Sequence, residues 1–245
     1  IDYIEGGWPG SNPKDMEFYL KMATNPLKYA KLVAFGSTRK ARVKASLDHN
    51  LGAILKSGAG IVTIFGKTWD LHIREVLKTT LDENLKMIED TISFLKSKGI
   101  TVFYDAEHFF DAYKANKGYS LKCLHTAEDA GSAAVILCDT NGGTLTSEAS
   151  RIIKEIRPKT KVILGIHCHN DAGLAVANSI AAVEAGADMV QGTINGYGER
   201  CGNADLIPII AKLKLKLGID CLPDNKLKEL THVSHFVSEI SNMRH

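Results

Sequence analysis

The sequence predicts an α/β chain of the (β/α)8 TIM-barrel class, on three observations. Short, nearly all-apolar runs recur, each separated from the next by a segment with helical spacing, as in a parallel sheet covered on both faces. Seven such strand–helix units follow one another without a long interruption, which favours a barrel whose first strand is absent from this chain over a doubly wound open sheet. Polar residues collect just past the strand ends, at His72, Glu107, Thr140, His167, His169 and Asn203, where a barrel gathers its active site.

The elements follow in order. Ile1 to Glu5 reads as a short strand, and the glycines and prolines of Gly6 to Pro13 enforce a loop before a helix at Asp15 to Met22. A strand at Lys31 to Phe35 precedes a helix at about Val43 to Ser57, with Leu47, Leu51, Ile54 and Leu55 on its apolar face. Gly60 to Phe65 is a strand whose exit loop, Gly66 to His72, carries a histidine; an amphipathic helix, about Thr80 to Lys98, then stops at Gly99. Strand Ile100 to Tyr104 leads to Glu107, helix Tyr119 to Ala130 to strand Ala133 to Cys138, and helix Ser147 to Ile156 to strand Val162 to Ile166. Asn170 or Asp171 is placed to cap the next helix, about Gly173 to Ala185. Met189 to Ile194 is the last strand and Leu206 to Leu217 the last barrel helix. Lys226 to Ile240 is helical too, so residues 1–220 are expected to form the catalytic barrel, strands 2 to 8, and residues 221–245 to begin a linker or C-terminal subdomain.

Composition sets limits on partners. With 245 residues, 44% of them hydrophobic, the chain has enough material for one large domain. Its 30 basic and 28 acidic residues leave a net charge of +2, so neither nucleic acid nor an anionic membrane is expected as partner. No apolar run approaches the roughly 20 residues that cross a bilayer. Cys123, Cys138, Cys168, Cys201 and Cys221 are odd in number and never spaced Cys-x-x-Cys, which predicts buried, inert thiols in a reducing cytoplasm. The start at Ile1, with neither Met nor a signal region, reads as a fragment.

His167 and His169 carry the chemistry. Side chains alternate along a strand, so these two imidazoles face one side and Cys168 the other. Together with an amide or carboxylate oxygen they would suit Zn, Mn, Co or Mg and leave positions open for substrate oxygens. Asn203 is the candidate neutral oxygen ligand, and equally a loop asparagine supporting a glycine-rich turn. Glu107 could transfer a proton or hold a hydroxyl, or be a solvated strand-end carboxylate. Thr140 and His72 could bind a substrate carboxylate, although Asp-Thr before two glycines is also ordinary turn chemistry.

The stretch Gly165-Ile166-His167-Cys168-His169-Asn170-Asp171-Ala172-Gly173-Leu174-Ala175, with Asn195-Gly196-Tyr197-Gly198-Glu199-Arg200-Cys201-Gly202-Asn203 after the next strand, resembles the DRE-TIM metallolyases. These include the 2-isopropylmalate, homocitrate and citramalate synthases; Tyr3 to Asp15 and Phe103 to Asp111 are most similar to the citramalate synthase branch. The resemblance implies a divalent-metal acyltransferase that condenses acetyl-CoA with a 2-oxo acid, pyruvate foremost, and releases (R)-citramalate and CoA for isoleucine synthesis. It implies His167 and His169 as metal ligands, Asn203 beside the metal, Glu107 as a catalytic residue, His72 and Thr140 around the 2-oxo acid, and a homodimer at full length. The alternatives are a 2-isopropylmalate or homocitrate synthase, or, from another class, a non-catalytic barrel or inactive fragment. One departure stands out. The family's Asp-Arg-Glu motif on strand 1, source of an acidic ligand and an arginine, does not occur here.

Overall fold

The computed structural model describes residues 1–243. Contacts divide the chain into two compact units, Ile1–Leu137 with Thr160–Ile163, and Cys138–Lys159 with Leu164 onward.

The first unit is a parallel sheet of β1 (Tyr3–Glu5), β2 (Lys31–Ser37), β3 (Ile61–Lys67), β4 (Thr101–Glu107) and most of β5 (Ala134–Asp139), paired in that order. Helix α1 (Pro13–Thr24) starts two residues before the expected Asp15, with Pro at its first position and the Asn12 side chain accepting from Asp15 N at 3.0 Å. Helix α2 (His49–Ser57) starts six residues later than the apolar spacing suggests. The extended Asp48 accepts from Asn50 N and Leu51 N at 2.9 and 3.1 Å, so the helix begins there, and Leu47 is left in a 3₁₀ turn, 75% exposed.

Two short helices were not expected. One is α3 (Asp70–Glu75), which takes His72 out of the predicted exit loop, and the other is α5 (Phe109–Ala115). Between them α4 (Leu81–Ser97) is capped by Thr80 and buries Met87, Ile88, Ile92 and Leu95; α6 (Lys117–Asp129) precedes β5, which is buried throughout.

In the second unit, β5 ends at Asp139 and is followed by α7 (Thr146–Ile156). β6 (Ile163–Cys168), which belongs to this unit from Leu164 on, and β7 (Met189–Gln191) pair in parallel, with Gly165 opposite Met189 and His167 opposite Gln191. Strand β7 is shorter than predicted because the chain turns to a new partner: Thr193 N donates to Ala204 O at 3.0 Å, and a Cβ on Gly192 would lie 2.4 Å from that oxygen. Helix α8 (Ala175–Glu184) has Leu174, not Asn170 or Asp171, at its N-cap position; Asn170 still serves it by accepting from Ala175 N at 3.1 Å. α9 (Leu206–Leu215) and α10 (Glu229–Ser241) complete the unit, α10 being tied to the β7 exit where Asn195 and Ser234 exchange hydrogen bonds of 2.9 and 2.7 Å.

Among the described residues the element order is seven strands, each followed by helix, as the predicted class requires. Cys123, Cys138 and Cys168 are buried as expected, whereas Cys201 and Cys221 are exposed, because both lie in loops outside the apolar runs. Among the described residues no helix is long and apolar enough to cross a membrane.

Candidate active site

In the second unit, parallel register sets the first contact. Gln191 stands opposite His167, and its Oε1, which can only accept, lies 2.8 Å from His167 Nδ1. That places the proton on Nδ1 and leaves Nε2 with its lone pair. β6 ends at Cys168, yet His169 stays extended through an isolated antiparallel bridge to Asn203, so the predicted alternation persists one residue past the strand. The two Nε2 atoms approach to 3.3 Å.

Two nitrogens that far apart, each at a metal–imidazole distance of about 2.0–2.1 Å, would subtend about 107° at a shared ion, near the tetrahedral angle. Asn203 adds an oxygen. Its Nδ2 donates to Tyr197 O at 3.2 Å, while its Oδ1 is buried beside the His167 ring and, like the buried His169 Nδ1, makes no well-formed hydrogen bond among the described residues. Burial, then the neighbouring His169, pushes the His167 imidazole down to about 4, against the pull of Gln191 and Asn203. His169 is lowered by burial and then by Arg200, with Asp171, Glu199 and Asp139 opposing. Both rings are therefore neutral near pH 7, the form that binds a cation. Among the described residues no three His, Cys, Asp or Glu side chains converge, so two imidazoles and an amide oxygen are what this unit offers a metal. These residues fit one.

Around them the strand exits interlock. Asp139 O accepts from His169 N at 3.2 Å, and its carboxylate is engaged by the amide and hydroxyl of Thr144 at 3.2 and 2.8 Å. Thr140 follows directly, its carbonyl accepting from Arg200 at 2.7 Å.

The first unit carries the other candidates. Lys67 and Glu107 end adjacent strands in register, and Lys67 Nζ lies 2.5 Å from Glu107 Oε2 with both side chains mostly buried. Thr68 Oγ1 donates to Glu107 O at 2.6 Å, fixing the backbone that presents the carboxylate. From α3, His72 meets His108 edge to face with ring centroids 4.4 Å apart, and Trp69 packs 4.8 Å from His72. Lys67, His108 and Gln191 were missed in the sequence. Gln191 had a signal, being a polar residue in an apolar strand opposite His167.

His108 sits in the left-handed region, with φ of 55°. Burial pushes its ring down to about 4; Glu107 opposes this, and His72 and Lys67 add to it. The unfolded chain therefore binds the proton more readily between about pH 6.5 and 4, so His108 supports the fold above that window and the support is lost as pH falls through it. His108→Asn, which tolerates the same φ, should lessen the acid loss of stability by on the order of 1 kcal/mol. Urea unfolding at pH 7 and pH 4.5 tests this; equal losses in wild type and variant would refute it.

Comparison with known proteins places the chain. The HMGL-like family model matches residues 1–237. The (R)-citramalate synthase of Geobacter sulfurreducens is 52% identical over 243 residues, which cover 99% of this chain and 46% of that protein. The 2-isopropylmalate synthase of Sulfolobus acidocaldarius is 34% identical, covering 99% of this chain and 60% of that protein. The chain thus spans a little under half the length of the citramalate synthase it matches. A crystal structure of the HMG-CoA lyase from Bacillus subtilis superposes with a TM-score of 0.77 at 17% identity, over 99% of this chain and 82% of that one, which shows a shared fold. With a family model matched from Ile1 almost to its end, this chain belongs to the HMGL-like family.

Proposed function

We propose that the protein catalyses the metal-dependent condensation of acetyl-CoA with pyruvate and the hydrolysis of the resulting thioester, giving (R)-citramalate and CoA. The observation that carries this reading is the 52% identity to an (R)-citramalate synthase along the chain, against 34% to a 2-isopropylmalate synthase. The paired Nε2 atoms and the buried Asn203 oxygen beside them support a divalent ion held by His167, His169 and Asn203. When bound, that ion would supply Lewis acidity to the ketone and carboxylate oxygens of the 2-oxo acid.

This chain's own residues do the rest. Gln191 holds His167 in the tautomer that presents Nε2. Glu107, kept in place by Lys67, moves or holds a proton at its carboxylate. Thr140 and His72 bind the 2-oxo acid. In the balanced reaction the acetyl methyl loses a proton, its carbon bonds to the ketone carbon, the ketone oxygen gains a proton, and water cleaves the thioester. Residues 1–220 form the catalytic part in this reading and residues 221–245 begin a linker or subdomain; the whole protein works as a homodimer in the cytoplasm.

A steady-state assay of the full-length protein tests the substrate, following CoA release with acetyl-CoA and pyruvate, 2-oxoisovalerate or 2-oxoglutarate. kcat/KM should favour pyruvate by at least ~10-fold, the scale on which a pocket measures added methyl groups. Preference for either larger acid would overturn the assignment, and no turnover with any would favour a non-catalytic barrel.

A further inference from the structure

We infer that Arg200 is a positioning residue that locks three strand exits of the second unit together and so holds His169 and Asn203 in register for a cation. The inference rests on the proposed metal reading and deepens it. Arg200 Nε and Nη2 form a two-pronged pair with Asp171 Oδ1 and Oδ2 at 2.7 and 2.9 Å, and Nη2 also donates to Thr140 O at 2.7 Å. One guanidinium therefore ties the segments that follow β5, β6 and β7. The planar fork is what allows this, since an ammonium cannot span both carboxylate oxygens and a carbonyl in one plane.

The backbone supports a device more than a surface ion pair. Arg200 has φ of 56°, a conformation that a non-glycine residue keeps only where its surroundings enforce it. Gly142, with φ of 63°, lies against the partner carboxylate: a Cβ there would meet Asp171 Oδ2 at 2.5 Å and Asp171 N at 2.8 Å. Ala172 N donates to Gly142 O at 3.0 Å and Asn170 N to Gly202 O at 2.9 Å, so the loops interlock on both sides of the salt bridge. His169 is two residues from Asp171 and Asn203 three from Arg200, and these two residues bridge each other. Loosening the arginine loop thus displaces the two groups together.

An exposed ion pair alone is worth little. If the pair only decorates the surface, its loss leaves cation binding unchanged. If it positions ligands, its loss weakens binding by the ten- to hundredfold scale of residues that orient metal ligands. The test is titration of the metal-free full-length protein with Co²⁺, read by its visible absorption spectrum, with thermal unfolding of each metal-free variant measured alongside.

Arg200→Ala and Asp171→Ala should each weaken Co²⁺ binding about tenfold and alter the spectrum, and the double variant should be no weaker than either. Arg200→Lys should recover little. Should an alanine variant fail to fold, the near-isosteric Asp171→Asn is read instead, with a loss of about threefold expected. Affinity within twofold of wild type in a folded Arg200 or Asp171 variant overturns the inference, as do losses that add in the double variant. His167→Ala separates the two readings. If it binds Co²⁺ like wild type, the metal reading fails and the latch falls with it; if it is defective while Arg200→Ala is not, the latch alone fails.

Discussion

His167→Ala is expected to lower metal affinity of the full-length protein at least ~100-fold and turnover at least ~1,000-fold. The size follows from what the side chain holds. Its Nδ1 is committed to Gln191 at 2.8 Å, its Nε2 faces His169 Nε2 at 3.3 Å, and removing one of two imidazoles leaves these residues only a single nitrogen and an amide oxygen to contribute. A lone imidazole is a weak site for any divalent ion at neutral pH. Alanine also removes the Gln191 contact to the ring, at a cost on the order of 1 kcal/mol that thermal unfolding will register. Equilibrium binding of Mn²⁺ or Co²⁺ and CoA release measure the two effects; a variant with unchanged affinity and rate would remove His167 from the mechanism.

Glu107→Gln is expected to reduce kcat by about 10²–10⁴ while KM for the 2-oxo acid changes only a few-fold, the signature of a group that moves a proton. The amide keeps the shape of the carboxylate but can neither accept a proton nor balance Lys67, whose Nζ lies 2.5 Å from Oε2. Lys67 would then be a mostly buried cation without its counter-ion, so part of the loss could come from displacement. Lys67→Met alongside separates the two. If Glu107→Gln costs no more in kcat than Lys67→Met, the carboxylate acts through packing and charge balance and not through proton transfer.

Much of the fold was legible because its strands are buried on both faces, so β5 and β6 read as apolar runs. α4 was legible from period, a capping Thr80 and Gly99 after its end. What escaped were elements stabilised by tertiary contact. α3 and α5 are six and seven residues long, too short for periodicity to speak, and they hold because Ile73, Phe109 and Phe110 are fully buried. The start of α2 was misjudged because Asp48 makes a better cap than Leu47 makes a core residue.

The site divides in the same way. Alternation alone predicted that His167 and His169 face one side, and their Nε2 atoms do converge. The partners that orient them depend on register and loop closure: Gln191 is 24 residues from His167 and Arg200 is 29 from Asp171, separations over which no sequence pattern extends. Lys67 pairs with Glu107 because two parallel strands end level, which only the structure displays.

The cation site is tested most directly by anomalous diffraction from crystals of the full-length protein grown with Mn²⁺ or Zn²⁺, collected at the metal edge for wild type and His167→Ala. One peak is expected within about 2.2 Å of both His167 Nε2 and His169 Nε2, with Asn203 Oδ1 turned towards it, and its loss in the variant. A metal seated on other side chains, with the two imidazoles still facing each other and nothing between them, would contradict it.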